Sequence, residues 1–266
     1  MLRSLLIANR GEIAIRIARS AADLGVETVA VHSEDDSLSL HTRHADRVVD
    51  LAAVGVAAYL GGERIVTLAQ EAGAEAIHPG YGFLSESAEF AQACEDAGLA
   101  FVGPAPATLQ QFGDKAQARA LAESSKVPVL PGISRAVTLA EAKGFFETLG
   151  ADGAVMLKAI AGGGGRGMRP VTDIGGLEEA FARASSEAAQ AFGSGDLYVE
   201  ELLPHARHVE VQIVGDGTGA VCHLWDRECS LQRQRQKLVE IAPAFALAED
   251  LPRAQLQAAP RIASVA

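Results

Sequence analysis

Residues 155–168 read Val155-Met156-Leu157-Lys158-Ala159-Ile160-Ala161-Gly162-Gly163-Gly164-Gly165-Arg166-Gly167-Met168. An apolar run carrying one lysine leads into four glycines, an arginine and a fifth glycine. Glycine has no side chain to bury and loses more chain entropy on folding than any other residue, so such a run serves a backbone purpose. Bare N–H groups gathered around a phosphate are that purpose, with Lys158 adding a point charge to the same anion. The competing reading is a flexible linker. Linkers of that kind mix glycine with serine between polar segments, whereas this stretch lies between an apolar strand and Met168-Arg169-Pro170-Val171.

The chain around this loop has 266 residues, 48% of them hydrophobic, enough for two ordinary domains with a sizeable core. A net charge of −11 argues against nucleic acid as the main partner, because phosphate-backbone binding needs a basic face. It argues equally against an anionic membrane surface. A nucleotide, bound in a local pocket, is compatible with it. No apolar stretch approaches the ~20 residues of a membrane span. The opening Leu5-Leu6-Ile7-Ala8 ends in Asn9-Arg10-Gly11-Glu12 and not in a small-residue cleavage site, so it reads as a strand and not as a signal peptide. Cys94, Cys222 and Cys229 form no even framework and no C-x-x-C pair, which makes them buried or incidental thiols of a cytoplasmic protein.

Outward from the loop, the first hundred residues alternate strand and helix. Strands are expected over 4–8, 27–32, 47–51, 76–78 and 100–102, with helices over 12–24, 63–72 and 87–97. That alternation predicts a parallel sheet with helices on its faces. Ligands on such sheets gather at the carboxyl ends of the strands. Asn9-Arg10-Gly11-Glu12 and Pro79-Gly80-Tyr81-Gly82 both fall there. Gly11 alone is not the G-x-G-x-x-G dinucleotide fingerprint, so an NAD site is not expected. An alanine-rich helix over 114–125 precedes the rigid connector Val127-Pro128-Val129-Leu130-Pro131-Gly132, read as a domain boundary. Beyond it, Thr138 and Glu141 form a capping box. A strand over 154–157 enters the glycine loop. A helix over 174–191 and a strand over 197–201 follow. Strand alternation over 208–214 places His208, Glu210 and Gln212 on one face, and a return strand is expected over 221–226.

Four polar clusters remain to be explained: Lys158 with the glycine loop, Lys115 at a helix start, the strand face His208, Glu210 and Gln212, and the run Gln232-Arg233-Gln234-Arg235-Gln236-Lys237. Each alone has a plain reading as solvated surface. Together they supply the dispersed cations and flexible cover that an enzyme handling a triphosphate needs.

This combination closely resembles the biotin carboxylase family of ATP-grasp enzymes. The resemblance rests on Ile7-Ala8-Asn9-Arg10-Gly11-Glu12-Ile13-Ala14, on Val29-Ala30-Val31-His32-Ser33 and on His78-Pro79-Gly80-Tyr81-Gly82-Phe83-Leu84-Ser85-Glu86. It also rests on Phe101-Val102-Gly103-Pro104, Gly113-Asp114-Lys115, the glycine loop, Arg207-His208-Val209-Glu210, Glu228-Cys229-Ser230-Leu231-Gln232-Arg233 and Gln236-Lys237. It implies an α/β fold: a Rossmann-like parallel-sheet N-terminal domain over 1–113, a linker helix over 114–130, an ATP-grasp lid over 131–203 and the truncated start of the ATP-grasp C-terminal subdomain over 204–266.

The implied activity is ATP-dependent carboxylation of carrier-bound biotin by bicarbonate through carboxyphosphate, the first half-reaction of a biotin-dependent acyl-CoA carboxylase. By the resemblance, Lys115 and Lys158 contact the ATP phosphates, and Gly162, Gly163, Gly164, Gly165, Arg166, Gly167 and Met168 close over them. Glu200 and Leu203 meet the adenine, and His208 and Gln232 line the nucleotide site. Lys237 is the catalytic residue, holding bicarbonate or carboxyphosphate. Tyr81, Arg235 and Gln236 lie near it and near biotin. The implied cofactors are ATP, magnesium (or manganese) and biotin on a separate carrier domain or protein. The implied partners are that carrier, a carboxyltransferase component and a second copy of the chain, met through Arg16 and Arg19.

Three departures bear on this reading. Arg235 stands where the family often has histidine, which keeps a cation and removes a titratable group. Ile241 replaces a frequent acid. The family's magnesium-binding glutamates, acid–base glutamate and biotin-facing arginine lie beyond Ala266, so the metal ligands are unassigned and the chain reads as a poorly active fragment. Pro260 falls within a segment the family makes helical, at a cost of about 3 kcal/mol in a helix interior, so order is expected to fail from about Leu251. The other readings are an ATP-grasp ligase related to carbamoyl-phosphate synthetase, and a non-catalytic nucleotide-binding module.

Overall fold

The computed structural model describes residues 2–161, 167–233, 236–248 and 250–265. The chain divides into two compact units, Met1–Asp114 and Lys115–Ala266.

The first unit runs β1 (Ser4–Ile7), α1 (Gly11–Asp23), β2 (Glu27–His32), β3 (Arg47–Asp50), α2 (Gly62–Glu71), β4 (Ala76–His78), α3 (Ala88–Asp96), β5 (Ala100–Phe101) and α4 (Pro106–Gly113). All five strands are parallel, in the order β3-β2-β1-β4-β5. Alternation along β1 sends Leu6 and Ala8 into one core with Val29, Val31, Ile65, Ile77 and Phe90, and Leu5 and Ile7 into a second core under α1 with Ala14, Ile17 and Ala21. Both faces of β1 are therefore dry, which is why its sequence is continuously apolar. The helix expected over 114–125 is preceded by a separate one: α4, with Pro106 in its first turn, ends at Gly113 before the next begins at Lys115.

A buried polar knot closes the carboxyl ends of β1 and β2. Asp36 is 6% exposed. Its carboxylate accepts from the Arg10 guanidinium, from Ser39 Oγ at 2.9 Å and from Tyr59 Oη at 2.9 Å. Burial alone would push this carboxyl up. The hydrogen bonds from Arg10, Ser39 and Tyr59, with the Arg10 charge, overcome it and bring the group down to about 2. A carboxyl lowered on folding adds stability above its unfolded value near 3.8 and loses it as pH falls towards its folded one. The contribution is about 2 kcal/mol. Native-state hydrogen exchange of β1 and β2 amides should therefore show protection falling more steeply between about pH 4 and about pH 2, the window set by that shift, in the unaltered chain than in Asp36→Asn.

The second unit runs α5 (Lys115–Ser124), β6 (Gly132–Ile133), α6 (Leu139–Thr148), β7 (Val155–Ala159), β8 (Met168–Val171), α7 (Leu177–Phe192), β9 (Leu197–Glu201), β10 (Val209–Gly215), β11 (Val221–Arg233), β12 (Gln236–Ile241) and α8 (Asp250–Ala263). It holds two antiparallel sheets, β6-β9-β7-β8 and β10-β11-β12. Thr138 and Glu141 form the full capping box at the start of α6. Val155, Leu157 and Val199 turn inward onto Phe146 and Leu177 of α6 and α7.

One expectation is corrected. The segment after Leu251 is ordered as α8, with Pro260 inside it. Pro260 removes a single bond, near the helix end. The helix is offset by a half-buried stripe of Pro252, Leu256, Ala259 and Ile262 and by packing against β10 and β11. Arg261 Nη1 also donates to the carbonyls of Ser125 and Lys126 at 3.4 and 3.3 Å. Among the described residues no helix is long and apolar enough to cross a membrane.

Candidate nucleotide and anion site

Two clusters in the second unit, one on each sheet, carry the expected site residues. On the first sheet, antiparallel register sets Lys158 opposite Tyr198 and Met168, and Met156 opposite Glu200. Residues opposite each other share a face, as do residues two apart. Lys158, Met168, Tyr198 and Glu200 thus lie together, on the side away from Leu157 and Val199. Lys158 is a diagonal neighbour of Glu200, and their side chains form an ion pair, 21% and 17% exposed. The Lys158 ammonium also lies 5.9 Å from the Tyr198 ring centre.

Lys115, opening α5, reaches the same place: its Nζ donates to Ala159 O at 3.4 Å. Its ammonium titrates below the usual lysine value, first through burial and then through the charge of Lys158, with Glu200 pulling the other way. Lys115, Tyr198 and Glu200 line a cavity of about 230 Å³ with Arg119, Val129, Leu130 and Ser134. The charge of Lys158 thus bears on Lys115 beside Glu200, a repulsion that a bound anion would ease.

The end of the loop is described at Gly167. Gly167 adopts φ +66, and a Cβ there would lie 2.8 Å from Ala159 Cβ. Its carbonyl accepts from Ala159 N at 2.8 Å. Only glycine fits this approach of backbone to strand. Gly162, Gly163, Gly164, Gly165, Arg166 and Arg235 lie outside the described residues. Leu203 follows β9 and is exposed.

The second cluster sits on β10-β11-β12. β11 and β12 pair antiparallel, with Gln232 opposite Lys237 and Arg233 opposite Gln236. Gln232 Nε2 lies 3.0 Å from His208 Nδ1 and donates to Cys229 O at 2.9 Å. Lys237 donates to Glu210, which also takes the Arg227 guanidinium. Arg227 in turn donates to Gln212 Oε1 at 2.9 Å and pairs with Glu240 at 3.1 Å. Burial, the largest influence on Glu210, pushes its carboxyl up, but the hydrogen bonds and charges of Lys237 and Arg227 outweigh it and hold the group below the usual range.

Arg227 and Glu240 were not marked by the sequence as site residues. Their signal is the register of β11, which sets Arg227 opposite Glu210, and register is not written in local alternation. Glu210, Cys229 and Glu240 place one ligand atom each within 4.8 Å of one another. Two of the three already face Arg227 or Lys237, and a thiol is a poor partner for a hard cation, so this set does not fit magnesium.

Tyr81 belongs to the first unit. It is 61% exposed, and its hydroxyl donates to Glu12 of α1. With Arg16, Ile17 and His78 it lines a groove of about 450 Å³. Burial lowers the titration of His78.

Comparison with known proteins decides what these clusters belong to. Residues 1–109 match the family described as biotin carboxylase, N-terminal domain, and residues 114–265 match the carbamoyl-phosphate synthase L chain, ATP binding domain. The chain belongs to the biotin carboxylase family. Mitochondrial pyruvate carboxylase of Rattus norvegicus is 49% identical over 246 residues, 91% of this chain and 21% of that protein. Pyruvate carboxylase of Aspergillus niger is 49% identical over 255 residues, 94% of this chain and 21% of that protein. Biotin carboxylase of Campylobacter jejuni, solved as a β-γ-ATP complex, superposes with a TM-score of 0.92 at 39% identity, covering 99% of this chain and 59% of that one. The biotin carboxylase domain dimer of Hydrogenobacter thermophilus 2-oxoglutarate carboxylase, solved with MgADP, ADP and bicarbonate, gives a TM-score of 0.89 at 42% identity, covering 100% of this chain and 58% of that one. This biotin carboxylase-family chain therefore spans about a fifth of the length of the pyruvate carboxylases it matches.

Proposed function

We propose that the chain serves the first half-reaction of a biotin-dependent carboxylase: ATP phosphorylates bicarbonate, and the carboxyl of the resulting carboxyphosphate passes to the ureido nitrogen of carrier-borne biotin. The observation that carries this reading is the crowding of Lys115 against Lys158 beside Glu200. A polyphosphate relieves that crowding, because each added anionic oxygen neutralises a charge that burial and like-charge repulsion now disfavour.

In this reading Lys115 and Lys158 take the phosphates, residues 162–168 cover them, Glu200 and Leu203 face the adenine, and His208 and Gln232 complete the nucleotide's surroundings. Lys237, oriented by Glu210, supplies a fixed cation to bicarbonate and to carboxyphosphate, with Arg235 and Gln236 beside it. Carboxyphosphate is small, unstable and multiply charged, so a closing cover that excludes water protects it. Bound magnesium would screen the phosphate charge, and the group of Glu210, Cys229 and Glu240 does not fit it. We assign 1–113 to the N-terminal domain, 114–130 to a linker, 131–203 to the lid and 204–266 to the start of the C-terminal subdomain. The carrier and the carboxyltransferase are the partners in this scheme, with a second copy of the chain at Arg16 and Arg19 and the cytoplasm as its place of work. The relatives are named for pyruvate, for 2-oxoglutarate and for long-chain acyl-CoA. A half-reaction common to all three selects no acceptor, so the assignment stops at biotin.

In the protein that carries this chain, ATP hydrolysis dependent on bicarbonate and free biotin is expected to fall by about a hundredfold in Lys237→Met. MgADP affinity, which this reading assigns mainly to Lys115 and Lys158, should stay within about threefold. Full turnover in Lys237→Met overturns its role. Dependence on ammonia in place of biotin would favour the carbamoyl-phosphate type of ligase, whose ATP-binding domain family the second unit matches.

A further inference from the structure

We propose that Asn9 is the positioning residue for Tyr81: its buried amide grips the carbonyls on either side of Gly80 and so fixes the direction in which the tyrosine leaves the first sheet. The functional weight of this rests on the reading of Tyr81 as a biotin-facing residue; the geometric part stands on its own.

Asn9 follows β1 directly and is 2% exposed. Its Nδ2 donates to Pro79 O at 2.7 Å and to Tyr81 O at 2.9 Å, and its Oδ1 accepts from Arg10 N at 2.8 Å. Both N–H bonds and the oxygen of the amide are used, so no other side chain of this size satisfies the same three groups. Aspartate has the shape but no donor, and would face two carbonyls with a charge.

Gly80 is the other half of the device. It adopts φ +66, and a Cβ there would lie 2.7 Å from Asn9 Nδ2. The glycine thus provides the space that the amide fills. Its N–H donates to His78 Nδ1 at 3.0 Å, and His78 O accepts from Ala8 N at 2.9 Å, which ties the start of the turn to the end of β1. Beyond Tyr81, Phe83 stacks on the buried Tyr59 ring at 5.3 Å. The turn is therefore fixed before, under and after Tyr81, while Tyr81 itself remains open to solvent with its hydroxyl directed to Glu12. A surface turn needing only a fold would not require a fully engaged buried amide at its centre. An exposed aromatic ring that must meet a ligand at one angle does, since displacement by about 1 Å is enough to lose a productive geometry.

The chain has three tyrosines, and each reports a different place: Tyr59 the first core, Tyr198 the second unit and Tyr81 the turn. In chain labelled with 3-fluorotyrosine, Asn9→Asp and Gly80→Ala are each expected to move the Tyr81 resonance and leave those of Tyr59 and Tyr198 in place. Free biotin should shift the Tyr81 resonance of the unaltered chain, with a midpoint about tenfold higher in either variant. An unmoved Tyr81 resonance in either variant with native Tyr59 overturns the proposal. Should a variant lose the Tyr59 signal, the unaltered chain decides: slow solvent exchange of both Asn9 Nδ2 protons supports the grip, and fast exchange overturns it. If biotin leaves the unaltered Tyr81 resonance in place while the variants move it, the biotin reading of Tyr81 fails and the positioning role stands.

Discussion

Leu157→Ala is expected to destabilise the second unit by about 3 kcal/mol, the usual cost of opening a Leu-to-Ala cavity in a closed core. Leu157 is fully buried between Val155, Val199, Phe146 and Leu177. It pairs with Arg169 on one side and Val199 on the other, at the centre of its sheet. The neighbouring strands are fixed by their own ladders, so the space cannot close easily. Native-state hydrogen exchange of β7 and β9 amides measures the loss separately from the first unit. A change below about 1 kcal/mol would mean that the site collapses around the smaller residue.

Lys158→Ala, one residue further on, should do the opposite: little to stability and much to affinity. Its side chain lies on the other face of β7, and its ion pair with Glu200 keeps some contact with water, which limits the stability change to about 1 kcal/mol. A lysine–phosphate contact at a partly desolvated site is a charge-assisted bond of about 1.5–3 kcal/mol. MgADP affinity should fall by roughly ten- to a hundredfold. Calorimetric titration of the two adjacent variants separates the core face of the strand from its proposed ligand face. Equal affinity losses in both would mean that Lys158 acts through the fold alone.

The contrast between these two residues shows what could be read from the chain and what could not. The parallel sheet was legible because β1 and β2 are buried on both faces, so their apolar runs are unbroken and the helices between them end in glycines. The strand into the glycine loop, fully buried on one face only, was legible from its apolar run Val155-Met156-Leu157 and from the oddity of the glycines that follow. The run 232–237 was legible as a polar cluster, but the pairing of Gln232 with Lys237 was not: six polar residues show no alternation, and only the register of β11 against β12 sets the two opposite. Arg227 escaped notice for a related reason, since its partner Glu210 lies 17 residues away and the register that joins them includes a shift between Val211 and Ile213. The tail after Leu251 was misjudged because local propensity weighs Pro260 alone, whereas the packing of α8 on β10 and β11 outweighs one missing bond. The role of Asn9 is not legible in the sequence, because its partners at Pro79 and Tyr81 are 70 or more positions distant.

The most direct test is calorimetric titration of MgADP into the unaltered chain and into the Lys115→Ala/Lys158→Ala double variant, with hydrogen exchange confirming that β7 and β9 remain formed. Saturable binding by the unaltered chain that disappears in the double variant is the predicted result. Binding of undiminished strength in the double variant would contradict the assignment of these two lysines to the phosphates.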